Sequence, residues 1–191
     1  MKEEIEDIII DKILEGDKSA CRIIIDKYKN FVFNLAFRIV NNKEDAEEVA
    51  QDSFIKAFKY LESFNRKSKF STWLYRITFN TAVSKTRKKK VEKNSINEVP
   101  EALLPIESFE KTFNYLKNEQ QKRYINIILG KLNAKERGLV TMYYLEEMPM
   151  EEIADSSGLS KSNVKVKIHR ARQKLYKHLS LLLKQETREI L

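Results

Sequence analysis

Residues 150–172 read MEEIADSSGLSKSNVKVKIHRAR, which predicts two short helices joined by a glycine turn. Ala154 is small enough to let the second helix approach the first, and Gly158 permits the left-handed backbone that a tight turn needs. Ser160 is a candidate N-cap for the second helix. The pattern is typical of a helix-turn-helix, whose second helix enters the major groove of DNA.

The second helix is predicted to have an apolar inner face and a basic outer face. The inner residues recur at three and four positions, which is helical spacing, and they are Val164, Ile168, Ala171 and Leu175. No Asp or Glu occurs between residues 159 and 185. A helical hairpin with a merely solvated basic face is the alternative, but such a face usually mixes charges of both signs. The candidate DNA contacts are Lys161, Ser162, Asn163, Lys165, Val166, Lys167, Arg170 and Arg172.

The composition agrees with an all-α protein of two small helical domains joined by a flexible linker. Only 4 Gly and 3 Pro occur among 191 residues, and the net charge of +8 favours a polyanionic partner, either nucleic acid or a membrane surface. Two of the prolines fall in residues 91–108, which we interpret as the linker between domains 1–90 and 109–191. The predicted helices are 5–16, 18–40, 43–64, 70–90, 107–132, 134–147, 150–156 and 160–184, and the order Asn133 to Glu136 predicts a capping box.

Several classes of protein and site are excluded. Cys21 is the only cysteine, so no internal disulfide is possible, and with two histidines it makes no recognisable metal site. We expect no cofactor. The acidic start does not resemble a secretory signal, and no run of about 18 apolar residues suggests a membrane-spanning helix. We therefore expect a cytoplasmic protein without membrane insertion.

The predicted helix 43–62 presents an acidic face with an apolar residue at its centre. Glu48, Gln51 and Asp52 lie on that face, and Ile55 lies among them. This pattern favours docking onto a basic partner surface with an apolar centre, although a single exposed apolar residue is also common on solvated helices. The opposite, inward face is predicted to comprise Ala46, Val49, Ala50, Phe54, Ala57 and Leu61.

The predicted helix 70–90 carries apolar residues on two sides. Trp73 and Leu74 define an inward face, while Tyr75 and Phe79 lie roughly opposite, and the helix ends in a run of lysine and arginine. A helix of this kind is either sandwiched in a core or exposes its rings for stacking on nucleic-acid bases. For Trp73 the core is favoured, and for Tyr75 and Phe79 both alternatives stay open.

Three segments together resemble the bacterial RNA polymerase sigma factors of the extracytoplasmic-function class. They are DAEEVAQDSFIKAF at 45–58, FNRKSKFSTWLYRITFNTA at 64–82 and EEIADSSGLSKSNVKVKIHRARQKL at 151–175. The resemblance implies a transcription initiation factor, not an enzyme, that directs core RNA polymerase to promoters by recognising their −10 and −35 elements. Many relatives are also held inactive by an anti-sigma protein.

The resemblance assigns roles to the features above. Residues 1–90 would form the domain that docks on the clamp helices of polymerase through Glu48, Gln51, Asp52 and Ile55, and that reads and melts the −10 element. Residues 109–191 would read the −35 element and rest on the polymerase flap. The −10 contacts would be Phe64, Arg66, Lys67, Lys69, Tyr75, Phe79, Asn80, Ser84, Lys85, Arg87 and Lys88. The chain departs from the family pattern at Arg66 and Lys67, where relatives often have Gly-Asp, and at Ser84, where many have an acid.

Competing functions come from other classes. A stand-alone helix-turn-helix regulator would bind DNA without polymerase. A two-metal nuclease would need a second carboxylate cluster beside Glu47, Glu48 and Asp52, and the sequence offers none. A membrane-surface protein would need a wide apolar face along its basic helices, which the pattern lacks.

Overall fold

The computed structural model describes residues 2–92 and 127–189, and this part of the chain is all-α, in two helical domains. The N-terminal domain comprises α1 (Lys2–Leu14), α2 (Lys18–Val40), α3 (Lys43–Lys59) and α4 (Phe70–Glu92). The C-terminal domain comprises α5 (Ala134–Val140), α6 (Met150–Ser157) and α7 (Lys161–Glu189). The predicted fold class is confirmed, whereas residues 93–126, with most of the predicted linker and of helix 107–132, lie outside the described residues.

Short polar side chains fix where the helices begin. The side chain of Asn42 accepts a hydrogen bond from the backbone N–H of Asp45 at 2.8 Å, which starts α3. Asn133 and Glu136 form the predicted capping box at the start of α5, with hydrogen bonds of 3.0 and 3.1 Å. These caps satisfy backbone donors that a helix cannot satisfy within its own first turn.

Two predicted helices end earlier than their periodicity suggests. The α3 helix stops at Lys59 and is followed by a 3₁₀ turn at Leu61–Ser63. The predicted helix 134–147 changes after Val140 into a π-helical turn at Thr141–Leu145. Neither span contains a proline or a glycine at the break, so the sequence pattern predicts continuous helices. The wider π turn alters the helical phase and lets both Met142 and Tyr144 be buried.

The apolar residues form two clusters. One lies within the N-terminal domain and joins all four of its helices and the 3₁₀ turn, with Ile24, Leu61 and Leu74 among its most buried members. The other is shared by both domains, since it contains Leu35 and Phe79 from α2 and α4 together with Leu139 and Ile168 from α5 and α7. The C-terminal domain therefore packs directly on the N-terminal one.

The helix-turn-helix has the predicted geometry. Gly158 ends α6 in the left-handed conformation with φ of 69°, and its N–H donates to the carbonyl of Ala154 at 3.0 Å. Ile153 and Val164 are fully buried between the two helices. The predicted inner face of α7 is confirmed, since Val164, Ile168, Ala171 and Leu175 are all buried.

The left-handed turn makes Gly158 sensitive to substitution. We expect Gly158→Ala to lower the free energy of unfolding by about 1 kcal/mol, because a side chain disfavours this backbone conformation. Gly158→Asn should cost less, since asparagine tolerates the left-handed region better than alanine. Urea denaturation followed by circular dichroism measures both. Equal losses for the two variants would contradict the role of the backbone conformation.

Candidate nucleic-acid interface

The α7 helix presents its basic outer face to solvent. Its start is capped by Ser160, whose hydroxyl oxygen accepts from the N–H of Asn163 at 3.3 Å. Val166 is 48% exposed at the middle of this face. The exposed members of the predicted set are Lys161, Ser162, Asn163, Lys165, Val166, Lys167 and Arg170. Seven of the eight predicted residues therefore share one accessible surface.

The eighth residue, Arg172, turns toward the interior of the domain. Its guanidinium donates to the hydroxyl of Tyr144 at 3.4 Å and lies 3.4 Å from Nδ1 of His169. Helical periodicity alone could not separate this position from the outer face, because its partner Tyr144 lies 28 positions earlier, in the π turn. Arg172 thus ties α7 to the element that precedes the helix-turn-helix.

A second basic surface surrounds the loop between the 3₁₀ turn and α4. The loop is anchored by Phe64, which is only 8% exposed and packs edge-on against Phe70 with ring centroids 5.6 Å apart. The Trp73 ring also packs against the Phe64 ring, with centroids 5.3 Å apart. Phe64 was among the predicted DNA contacts, but its ring is buried and packs against Phe70 and Trp73.

Arg66 holds the loop to α1. It adopts a left-handed backbone conformation with φ of 57° and forms ion pairs with Asp7, at 4.0 Å, and with Asp11. The Asp11 carboxylate raises the pKa of the Arg66 guanidinium. Sequence reasoning missed both acids, since they lie more than fifty positions away and carry no motif. Glycine adopts this left-handed conformation more readily than arginine does.

A cavity of about 560 Å³ opens beside this loop. Its lining combines cations, which can neutralise phosphates, with four acids and three buried aromatic residues. The cations are Lys27, Arg66, Lys67 and Lys69, and the aromatic residues are Tyr28, Phe64 and Phe70. Lys27 and Tyr28 were not predicted; both donate to Glu6, at 2.8 and 2.5 Å.

The α4 helix lies between the rest of the N-terminal domain and the C-terminal domain. Phe79 is 2% exposed, and Tyr75 stacks on Phe31 with ring centroids 3.6 Å apart. Burial raises the pKa of the Tyr75 hydroxyl. The resemblance placed both rings among the −10 contacts, while the sequence pattern left a core role open. In the structure Phe79 is buried in the cluster shared by both domains, and Tyr75 is partly buried against it. The exposed members of the predicted −10 set on α4 are Asn80, Ser84, Arg87 and Lys88.

Lys85 is the other cation among the predicted −10 residues on α4, and it forms ion pairs with α3. Its ammonium lies 2.5 Å from Glu48 and 3.9 Å from Asp45. The hydrogen bond to Glu48 raises the pKa of Lys85. The lysine therefore joins the predicted −10 surface to the predicted polymerase surface.

The acidic face of α3 is arranged as predicted. Glu48 and Gln51 are exposed, Asp52 is half-buried, and Ile55 is 57% exposed among them. On the opposite side, Ala46, Val49, Phe54 and Ala57 are buried. The face thus offers an apolar centre within a polar, mostly acidic rim.

Other kinds of site were sought in the same part of the chain. Within residues 2–92 and 127–189, no group of three or more His, Cys, Asp or Glu could hold a metal ion. None of the helices described there is both long and apolar enough to cross a bilayer.

Family models match both domains. Sigma-70 region 2 matches residues 24–91, and Sigma-70 region 4 matches residues 124–175. Among curated proteins, the ECF RNA polymerase sigma factor SigW of Bacillus subtilis is 32% identical over 183 residues, covering 89% of this chain and 94% of its own. The RNA polymerase sigma-H factor of Pseudomonas aeruginosa is 29% identical and covers 97% of this chain and 99% of its own.

Solved structures show the same fold. CnrH, in complex with the cytosolic domain of CnrY, matches with a TM-score of 0.65 and 22% identity over 91% of this chain and 96% of its own. The sigma factor RpoE of Bartonella quintana, in complex with the anti-sigma factor NepR, matches with a TM-score of 0.63 and 22% identity over 83% of this chain and 96% of its own.

The two matched regions together define an RNA polymerase sigma factor. The chain belongs to the extracytoplasmic-function family of these factors, which are transcription factors that give RNA polymerase its promoter specificity.

The burial of Phe64 has a measurable consequence. We expect Phe64→Ala to lower the free energy of unfolding by about 3 kcal/mol, because it leaves a cavity beneath the loop. Ile55→Ala should change it by less than about 0.5 kcal/mol, since that side chain is mostly exposed. Urea titration of both variants makes the comparison. A Phe64→Ala variant as stable as Ile55→Ala would contradict the supporting role of the ring.

Proposed function

We propose that the two domains divide promoter recognition as follows. Residues 1–90 dock on core polymerase and read and melt the −10 element, while residues 109–191 read the −35 element. The observation that carries this division is that the described chain exposes cations on two separate surfaces, one on α7 and one, accompanied by acids, around the loop before α4. An acidic docking face on α3 accompanies them.

For the −35 element, the start of α7 would enter the major groove. Lys165 and Arg170 are exposed and could donate to the N7 and O6 atoms of guanine, and Val166 could contact a thymine methyl group. Neighbouring lysines and the hydroxyl of Ser162 would contact phosphates and fix the register of the helix. Arg172 would act through Tyr144 and His169 as a positioning residue.

For the −10 element, the cavity beside the loop would receive an unstacked base of the non-template strand. Lys67 and Lys69 line it and could neutralise the adjacent phosphates. Asn80 and Ser84 lie exposed on α4 and could hydrogen-bond to neighbouring bases. Arg87 and Lys88 continue this surface along the same helix.

For polymerase, the face around Ile55 would meet the clamp helices. An exposed apolar side chain within a polar rim matches the usual anatomy of a protein interface. Many members of the family are regulated by an anti-sigma protein, and the same face could serve such a partner here. We infer that the chain itself is not an enzyme and that it acts in the cytoplasm together with polymerase.

Disruption of the α3 face should separate polymerase binding from folding. We expect Ile55→Glu to weaken the association with core polymerase at least about tenfold, because the change buries a charge at the centre of the interface. Ile23→Glu is the matched control, since Ile23 is 51% exposed on α2. Fluorescence anisotropy of labelled protein titrated with core enzyme measures both. Equal affinities for the two variants would refute the assigned face.

The α7 face should control promoter choice. We expect Lys165→Ala and Arg170→Ala each to reduce run-off transcription from cognate promoters about tenfold, because each removes a base contact worth about 1 to 3 kcal/mol. Lys177→Ala, at an exposed lysine farther along α7, is the control. A library of promoters from the cognate genome supplies the templates. Failure of the unaltered chain to start transcription on any of them would refute the proposed function, and unaided promoter binding would favour a stand-alone regulator.

A further inference from the structure

The Lys85 side chain lies at the interface between α3 and α4. It belongs to the −10 residues predicted on α4, yet its ammonium turns toward α3 and lies 2.5 Å from Glu48 and 3.9 Å from Asp45. Only 25% of the Lys85 side chain is exposed, whereas Arg87 and Lys88 on the same helix are exposed. A DNA phosphate that approached this ammonium would meet two carboxylates already beside it, and like charges repel.

The acids around Lys85 account for its orientation. Asp45 lies in the first turn of α3 with only 11% of its side chain exposed, and a nearby cation offsets the cost of burying that carboxylate. The hydrogen bond to Glu48 raises the pKa of Lys85, and the charges of Asp45 and Asp52 act in the same direction. The lysine is therefore held as a cation between the two helices.

Glu48 belongs at the same time to the acidic face around Ile55. Its side chain is 57% exposed, so its carboxylate can pair with Lys85 and still be reached by a partner. Seven positions separate Glu48 from Ile55, which is about two helical turns, so both lie on one side of α3. Farther along the interface, Lys56 donates to the Thr81 hydroxyl at 3.1 Å and fixes α3 against α4.

An ion pair of this kind reduces the conformational freedom of Glu48 before any partner arrives. A glutamate without it would sample several rotamers on an exposed face, and ordering such a side chain on binding costs free energy. Lys85 is thus placed to favour association through α3 without itself touching the partner.

We propose that Lys85 is a positioning residue for polymerase docking and not a DNA contact, because it holds the Glu48 carboxylate in place at the edge of the α3 face. The inference rests on the proposed docking function of that face. It takes Lys85 out of the −10 set and leaves Arg87 and Lys88 to contact phosphates. The helix that reads the −10 element thereby supports the helix that binds polymerase.

Four variants of the full-length chain test this role. Lys85→Met removes the charge but keeps most of the length of the side chain. Lys88→Met is the matched control, since it makes the same change in net charge at an exposed position of the same helix. Lys85→Arg restores a cation that can pair with Glu48. Glu48→Gln, alone and combined with Lys85→Met, shows whether the effect passes through Glu48.

The first measurement is the affinity for core polymerase, from fluorescence anisotropy. Lys85→Met should bind about fivefold more weakly than the unaltered chain, because Glu48 must then be ordered during binding. Lys85→Arg should restore most of the affinity, and Lys88→Met should bind as the unaltered chain does. In the Glu48→Gln background, Lys85→Met should cause no further loss.

The second measurement is the salt dependence with which assembled holoenzyme binds a promoter identified by run-off transcription. Each phosphate contact that is lost makes the slope of log K against log salt shallower by about 0.7 to 0.9. Lys88→Met should show this change. Lys85→Met should keep the slope of the unaltered chain, which a residue that contacts a phosphate could not do.

Three results would each overturn the inference. They are equal core affinities for Lys85→Met and Lys88→Met, the same loss from Lys85→Met with Glu48 and with Gln at that position, and a shallower salt slope for Lys85→Met. If circular dichroism finds Lys85→Met unfolded, Lys85→Gln replaces it in both measurements, since it keeps a hydrogen-bond donor. Equal core affinities for Ile55→Glu and Ile23→Glu would instead refute the proposed docking face, so the two failures are distinguishable.

Discussion

The contact of Gly138 with Phe79 and Ile39 is the constraint on which the arrangement of the whole described chain depends. It joins two small helical domains through one continuous apolar cluster, from Leu35 on α2 to Leu179 on α7. Because small domains bury a limited core, sharing one cluster adds apolar burial that neither would have alone. The same contact decides which surfaces of α4 are free, since it covers Phe79 and leaves Asn80 exposed.

The two charged surfaces of the described chain differ in how their cations are paired. The α7 face is basic and open, whereas the cations around the −10 loop are partly neutralised by acids from two other elements, Asp11 on α1 and Glu152 on α6. Exposed ion pairs of this kind contribute little to stability, so they can exchange for DNA phosphates at small cost. The two proposed recognition surfaces therefore differ: the basic face of α7 is exposed, whereas cations of the loop before α4 are already paired with acids.

Local sequence patterns predicted the helices, the helix-turn-helix and the faces of α3 and α7, because each depends on residues three or four positions apart. The outer face of α7 could be predicted to be basic because no Asp or Glu occurs between residues 159 and 185. Contacts between segments far apart in sequence could not be predicted from these local patterns. The burial of Phe64 and Phe79, the inward turn of Arg172 and the pairing of Arg66 with Asp11 all depend on segments far apart in sequence. The packing of one domain on the other could not be predicted either, since no local pattern marks Gly138 as a contact point.

The central claim is that the Gly138 contact holds the two domains together in the free chain, and a distance measurement tests this most directly. Spin labels on cysteines introduced at Ile23 and Leu181, both exposed, would report the separation of the domains in a Cys21→Ser background. Double electron–electron resonance should give one narrow distance for the free chain and a broader distribution for Gly138→Ala. A broad distribution in the chain with Gly138 would contradict the account.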